Sequence, residues 1–240
     1  MPEPALQLFS VRGVGEVRPG DLLADLLTDA LRSTDGPGLL DGDVLVVTSK
    51  VVSKSEGRLV AVDDGDPAAK VALVESEAVR VLRRRDDLRV TETSHGFICA
   101  NSGVDLSNVE AGIAVLLPVD PDRSARRLRA DLRRRMGVEV GVVISDTFGR
   151  PWRRGVTDVA IGCAGVAGIV DLRGTPDANG RILEGTEVCV IDELASAADV
   201  VMGKSSGVPA VVVRGVPPEW LGDGSVATEV VRPYDEDLFR

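Results

Sequence analysis

The sequence predicts a mixed α/β protein, in which helices flank mixed sheets and two subdomains pack closely together. Three observations lead to this fold class. Short runs rich in Val, Leu and Ile alternate with amphipathic helical segments along the 240 residues. Their order is irregular, which favours mixed sheets over a regular parallel repeat. Hydrophobic residues form 44% of the chain, enough for a substantial core although only 3% are aromatic.

Strands are predicted where short β-branched runs end at turn residues. In chain order they cover residues 5–11, 43–48, 89–92, 113–117, 138–145, 159–163, 187–191, 208–214 and 228–231. The run 138–145 is expected to be the central strand. Residues 95–108 and 165–185 are rich in glycine and turn formers and are predicted to be loops.

Helices are predicted over residues 21–31, 67–85, 121–136 and 192–202. Asp21 is the expected N-cap of the first helix, and Pro67 suits the first turn of the second. Leu128, Leu132 and Met136 form one apolar stripe on the third helix. Gly203 is expected to cap the fourth.

Charge and cysteine content narrow the classes of function. The chain carries 28 basic and 38 acidic residues, so 28 − 38 gives a net charge of −10. This balance argues against a nucleic-acid partner, and an anionic ligand would need metal ions or local basic residues. Cys99, Cys163 and Cys189 are far apart, which favours a reducing cytoplasm. Neither a signal peptide nor an apolar run of about 20 residues occurs, so no membrane partner is predicted.

The most informative segment follows the predicted central strand and contains Asp146, Thr147, Arg150 and Arg153. An apolar strand that ends in an acid, a hydroxyl, a glycine and arginines is suited to hold a metal ion and then a phosphate or carboxylate. A plain turn followed by a solvated basic loop is the alternative.

Four other segments suit the same chemistry, although each is weak alone. Residues 48–57 place two lysines and several hydroxyls on a predicted loop after a strand, which suits a polyphosphate. Residues 101–108 contain Asp105, and an ordinary turn explains that loop equally well. Residues 12–15 and 202–207 are glycine-containing ends of a strand and a helix. If Asp105 and Asp146 converge, Mg²⁺ or Mn²⁺ would relieve their repulsion.

The single histidine, His95, makes a histidine-based triad or metal cluster improbable. A structural role for it is favoured. Catalysis without histidine fits phosphoryl transfer, in which positioning and charge neutralisation dominate.

Taken together, residues 42–58, 101–108, 144–155 and 192–204 resemble the coenzyme F420-0:L-glutamate ligases, or γ-glutamyl ligases. Coenzyme F420 is a deazaflavin. The resemblance implies one ligase domain over residues 1–240, and residues 235–240 resemble the point where some members continue into a reductase domain. It also implies a cytoplasmic homodimer that uses GTP, L-glutamate and coenzyme F420-0, with two Mg²⁺ or Mn²⁺ ions and K⁺. The terminal carboxylate would be activated as an acyl phosphate, and further γ-linked glutamates would follow.

The resemblance also assigns site residues. It implies metal binding by Asp105, Asp146 and Thr147. It implies GTP binding by Arg12, Gly13, Val14, Gly15, Ser49, Lys54, Asn108, Gly203, Lys204 and Ser205. Lys204 stands where some relatives have glutamine, and a protonated lysine cannot ligate a metal ion. From their chemistry alone, Arg150 and Arg153 are expected to act with Asp146 in catalysis by facing the acidic deazaflavin, beside Trp152.

Two other functions fit the same residues. A metal-dependent nucleotide hydrolase would use the phosphate and metal sites without an acceptor. A non-catalytic nucleotide-binding module would bind GTP without turnover.

Overall fold

The computed structural model describes residues 5–33, 35–63 and 65–237. Residues 235–240 resemble the point where some family members continue into a reductase domain, and 238–240 of these lie outside the described residues. The strands are β1 (Gln7–Val11), β2 (Val44–Thr48), β3 (Leu59–Ala61), β4 (Ala78–Arg85), β5 (Leu88–Thr93), β6 (Ile98–Ala100), β7 (Ile113–Val115), β8 (Gly141–Arg150), β9 (Arg153–Ala164), β10 (Val170–Asp171), β11 (Glu187–Val188) and β12 (Ala210–Arg214). The α-helices are α1 (Leu23–Arg32), α2 (Ser49–Ser55), α3 (Pro67–Ser76), α4 (Pro121–Met136) and α5 (Val190–Met202).

The largest sheet has the strand order β1-β12-β2-β8-β9. Only β2 and β8 run parallel in it, with Val44 opposite Gly141 and Thr48 opposite Ser145. The first four residues of β2 and the first five of β8 are buried, as expected for central strands covered on both faces. Helices α4 and α5 pack against this sheet, and α1 packs against α4. The predicted mixed α/β class is therefore confirmed.

A smaller region has its own core. It contains the sheet β4-β5-β6, the ribbon β3-β7 and helix α3. Val74, Val104, Ala114 and Leu116 form a buried cluster separate from that of the main sheet. The two regions meet where β6 lies against β8 and where α2 contacts β7. This junction brings loop 101–108 next to the central strand.

Several predicted elements were wrong in type or length. The predicted helix 67–85 ends at Ser76, and Ala78–Arg85 forms β4 because it pairs with β5. Residues 48–57 are not a loop, since Ser49–Ser55 form α2. The predicted loop 95–108 contains β6 and a short 3₁₀ turn. The predicted strand 228–231 lies largely in a π-helical turn, Val226–Val230, whose first residue packs into the core.

Other predictions differ in their ends. The predicted strand 138–145 begins at Gly141 and continues through Arg150, so the Asp-Thr-Phe-Gly-Arg motif lies within β8. Leu22 rather than Asp21 is the N-cap residue of α1, because the Asp21 carboxylate accepts a hydrogen bond from the Arg18 amide instead. The predicted helix 121–136 is confirmed as α4.

Sequence signals explain the success at α4. The Asp120 carboxylate accepts a hydrogen bond from the Arg123 amide, and Gly137 ends the helix in the left-handed conformation. Among residues 5–33, 35–63 and 65–237, no helix has the length and apolarity needed to cross a bilayer.

Candidate nucleotide and metal site

The first turn of α2 links the two acids that the sequence singled out. Thr48 and Ser145 face each other across the parallel strands, so the next residues, Ser49 and Asp146, emerge side by side. The Ser49 hydroxyl donates to the Asp146 carboxylate at 2.9 Å. The neighbouring ammonium of Lys50 pairs with Asp105 at 2.7 Å. The adjacent residues Ser49 and Lys50 thus each bind one of the two acids, Asp146 and Asp105, which are called here the acidic pair.

Backbone contacts hold Asp105 in place. Its amide and carbonyl exchange hydrogen bonds with Val115 at 3.0 and 2.8 Å. Upstream, Ser102 adopts a left-handed conformation, with φ of 53°. The buried Thr91 hydroxyl accepts a hydrogen bond from its amide at 2.9 Å, which stabilises this turn. The loop thus presents the Asp105 carboxylate from a fixed backbone.

The pKa values of the two carboxyl groups are shifted in opposite directions. Desolvation raises the pKa of Asp146 to about 7, and the charges of Asp158 and Asp105 add to the effect, whereas hydrogen bonds from Ser49 and Thr147 oppose it. Burial alone would raise the pKa of Asp105, but hydrogen bonds from Lys50 and Ser107 outweigh it and lower that pKa. Ionised Asp146 therefore lacks a sufficient positive partner, and a cation there would be stabilising.

A second group of side chains lies on the other face of β8, because successive strand residues point to opposite faces. The Thr147 hydroxyl donates to Asp158 on β9 at 2.6 Å, and the Ser145 hydroxyl donates to the same carboxylate at 3.0 Å. The Thr147 side chain is therefore grouped with Asp158, whose charge also acts on Asp146. Metal binding by Asp105, Asp146 and Thr147 stays a prediction.

Lys204 completes this second group. Its ammonium lies 3.1 Å from Asp158 and 3.3 Å from Asp199, and it also donates to the Thr147 hydroxyl. Burial tends to lower the pKa of Lys204, but the hydrogen bonds and charges of Asp158 and Asp199 raise it overall. Gly203 and Ser205 flank it on the exposed turn after α5. We call Thr147, Asp158, Asp199 and Lys204 the Lys204 cluster.

Lys54 gathers the other predicted nucleotide residues. Its ammonium pairs with Glu16 at 2.6 Å and donates to the Asn108 carbonyl at 3.2 Å. Glu16 directly follows the predicted segment Arg12, Gly13, Val14 and Gly15, whose valine packs against the main core. Lys54 is only 8% exposed, so its charge acts in a poorly solvated setting. The structure thus joins Lys54 to Asn108 directly and to the chain next to residues 12–15 through Glu16.

Arg150 and Arg153 are not brought to the acidic pair. They lie at the exposed tip of the hairpin formed by β8 and β9, beside Trp152. Arg150 lies four residues beyond Asp146, about 13 Å along the backbone. A direct role for these arginines at the transferred phosphoryl group therefore has no contact to support it, and their action on a substrate stays a prediction.

Two contributors to the site, Glu16 and Asp158, were missing from the predicted residues, whereas Lys50 was included only as one of the two lysines of segment 48–57. Glu16 could have been found by proximity, because it adjoins the predicted segment 12–15. Asp158 could not, because register shifts interrupt the hairpin near Arg150 and near Ile144. Counting back from the Arg150–Arg153 pair would place Val156 opposite Thr147, whereas the structure places Asp158 there.

The remaining reactive side chains have structural settings. Burial raises the pKa values of Cys99, Cys163 and Cys189 to about 12, so these thiols remain protonated near neutral pH. A ring nitrogen of His95 lies 2.8 Å from the Pro118 carbonyl.

The donor chemistry of the acidic pair fits a hard divalent cation. No group of three or more His, Cys, Asp or Glu side chains that could hold a metal ion occurs in the described part of the chain. Two carboxylates and the Ser49 hydroxyl would suffice for Mg²⁺ or Mn²⁺, since Mg²⁺ commonly keeps several waters and is completed by substrate phosphates.

In open α/β sheets, ligands commonly bind at the carboxyl ends of the parallel strands, which is where Ser49 and Asp146 follow β2 and the paired part of β8. A model of the F420-0:gamma-glutamyl ligase family matches residues 13–215, and the chain belongs to this family of enzymes. The resemblance stated from the sequence is therefore confirmed.

Archaeal relatives extend the match to nearly the whole chain. A protein from Methanothermobacter thermautotrophicus is 42% identical over 98% of this chain and 99% of its own length. One from Methanopyrus kandleri is 42% identical over 99% of this chain and 98% of its own. One from Methanocaldococcus jannaschii is 40% identical over 83% and 85%, respectively. Each of these relatives is named coenzyme F420:L-glutamate ligase.

Proposed function

We propose that the protein is a GTP-dependent ligase that joins L-glutamate to coenzyme F420-0 and then adds further γ-linked glutamates. Membership of the family and the names of its relatives support glutamate ligation to the deazaflavin. The convergence of Asp105, Asp146 and Lys54 around α2 is the structural observation that carries the phosphoryl-transfer part.

The proposed reaction has two steps. The terminal carboxylate of coenzyme F420-0 attacks the γ-phosphorus of GTP, which forms an acyl phosphate and releases GDP. The amine of L-glutamate then attacks the acyl carbon, and the amide forms as phosphate leaves and the amine loses a proton. GTP hydrolysis thereby drives amide formation.

The chain's own residues bind and position these groups. Lys50 and Lys54 are placed to offset phosphate charge, and the 12–15 segment next to Glu16 would enclose the nucleotide. Asp105 and Asp146 would hold Mg²⁺ or Mn²⁺, which supplies charge neutralisation at the transferred phosphoryl group. Arg150 and Arg153 would contact the acidic deazaflavin from the hairpin tip. A cytoplasmic homodimer assisted by K⁺ is part of the same proposal.

One reaction mixture distinguishes the three functions. Protein, GTP, Mg²⁺, coenzyme F420-0 and L-glutamate are combined, and products are followed by mass spectrometry and phosphate release. Species heavier by one or more glutamyl residues, formed only with GTP, support the ligase. GTP loss that is independent of the acceptor would favour a hydrolase. GTP binding without turnover would favour a binding module, and an ATP reaction tests the choice of nucleotide.

Asp146→Ala is the matched loss-of-function variant. We expect it to abolish glutamylation while the fold persists, because Asp146 lies at the end of the parallel strand pair rather than in the main apolar core. Asp29→Ala, which removes an exposed acid from α1, serves as the control. Near-normal ligation by Asp146→Ala at limiting metal would contradict the assignment.

A further inference from the structure

Asp158 is a buried carboxylate that stands outside the predicted metal and nucleotide residues. It is 3% exposed and lies on β9 directly opposite Thr147. Hydroxyls of Ser145 and Thr147 both donate to it, at 3.0 and 2.6 Å. Two neutral donors compensate a buried negative charge only in part, so a cationic partner stabilises this carboxylate.

Lys204 provides that cation. Its ammonium contacts oxygen atoms from three elements, namely Thr147 on β8, Asp158 on β9 and Asp199 on α5. An ammonium has three donors and no acceptor, so these oxygens use its hydrogen-bonding capacity. Two carboxylates and a hydroxyl around one positive centre also form a donor set that suits a hard divalent cation.

The two kinds of cation exclude each other at this position. A metal ion bonded to Thr147 and Asp158 would lie next to the positive charge of Lys204, and a protonated lysine cannot ligate it. The residues of the Lys204 cluster therefore do not fit the second divalent ion that the family resemblance implies. The acidic pair, in contrast, keeps oxygen donors suited to the first.

We propose that the Lys204 ammonium replaces the second divalent cation in this protein, so that each chain binds one divalent ion, at Asp105 and Asp146. The inference rests on the proposed metal site but not on which substrates are joined. Lys204 carries one charge where a metal would carry two, and it binds the surrounding oxygens through hydrogen bonds rather than coordinate bonds.

Counting bound Mn²⁺ tests this directly. The full chain is dialysed against Mn²⁺ with a non-hydrolysable GTP analogue, and bound metal is measured by elemental analysis and electron paramagnetic resonance. We expect one Mn²⁺ per chain in the wild type and in Lys204→Arg, which keeps the charge. Lys204→Gln and Lys204→Ala remove the positive charge, and at least one of these variants should bind two Mn²⁺ ions per chain. The paramagnetic resonance spectrum of that variant should be broadened, because the two ions lie close together.

A double variant locates the gained ion. Adding Asp158→Asn to the Lys204 variant that gains an ion should return the count from two to one, because the second ion would lose its buried carboxylate. A count other than one in the wild type, or no gain in either neutral Lys204 variant, overturns the proposal. Glutamylation measured on the same wild-type preparation decides the proposed function separately.

Discussion

At the scale of single residues, the raised pKa of Asp146 marks a position where a bound cation would be stabilising. Desolvation and the charges of Asp158 and Asp105 raise its pKa from 3.8 to about 7. The folded protein therefore retains a proton between these values that the unfolded chain has released. The associated contribution to stability is fully present below the unfolded pKa and is lost as the pH rises through about 7.

This linkage predicts the behaviour of Asp146→Asn, which keeps the shape but cannot ionise. Without divalent ions, the free energy of unfolding of the wild type should fall as the pH rises, whereas that of the variant lacks this contribution. The difference, variant minus wild type, should therefore increase by about 2–4 kcal/mol between about pH 5 and about pH 8. Thermal unfolding of both proteins across this range, in the presence of a chelator, measures the difference. Mn²⁺ should then stabilise only the wild type. A difference in melting temperature that does not change with pH would contradict the raised pKa.

Lys54 supports a second prediction. Because its ammonium is nearly buried, its interaction with a phosphate would be weakly screened. Lys54→Ala should weaken GTP binding about tenfold, equivalent to about 1.4 kcal/mol, and leave the KM for glutamate within about twofold. Calorimetric titration and initial rates measure the two effects. Lys70→Ala, which removes the same charge from α3, is the control, and an unchanged GTP affinity in Lys54→Ala would exclude Lys54 from the phosphate site.

The sequence posed the convergence of Asp105 and Asp146 as a condition for a shared metal ion, since both acids were predicted to lie in loops or at strand ends. It did not predict the separate grouping of Thr147, because the partner Asp158 is selected by register shifts in the hairpin. Such shifts depend on how the strands twist and pair in three dimensions. Local sequence therefore indicated candidate site residues better than it indicated which of their side chains bond to each other.

At the scale of elements, α4 and β4 show the same contrast. Helix α4 was predictable because Asp120, an apolar stripe and Gly137 all indicate one element locally. The helical prediction failed over Ala78–Arg85, where the burial pattern lacks clear alternation and strand formation depends on pairing with β5. Elements with local signals were recovered, and those defined by a distant partner were not.

The hairpin of β8 and β9 gives an element-scale prediction. Arg150 lies four residues beyond Asp146, about 13 Å along the backbone of β8, and pairs with Arg153 on β9. Arg150→Ala and Arg153→Ala should therefore raise the KM for coenzyme F420-0 by about tenfold, with the GTP affinity changed by less than about twofold. Steady-state kinetics with each substrate varied in turn provide the measurement. Arg126→Ala, on the exposed face of α4, is the matched control.

The outcome separates two roles for the hairpin tip. An effect on the KM of the deazaflavin alone identifies a substrate-binding arm. A loss of GTP affinity equal to the loss for the deazaflavin would contradict this and would indicate that the tip folds over the nucleotide.

At the scale of the whole molecule, the net charge of −10 opposes every proposed ligand, because GTP, glutamate and the deazaflavin are all acidic. A protein-wide field cannot attract them, so binding must depend on local positive charge. The structure concentrates such charge at Lys50, Lys54 and Lys204, each of which already pairs with an acid. Existing ion pairs leave little net positive charge for a triphosphate, and a divalent cation would supply the rest.

Metal removal therefore has a specific expected result. Chelation with EDTA should weaken GTP binding at least about tenfold, because the acidic pair would then repel the phosphates. Guanosine has the same base but no phosphates, so it carries no charge to neutralise. Its binding affinity should fall by less than about twofold on chelation. Equilibrium titration of both ligands with and without Mg²⁺ measures the two changes. If EDTA weakened guanosine and GTP equally, the cation would be maintaining the fold of the site, and the proposed role in phosphate binding would be wrong.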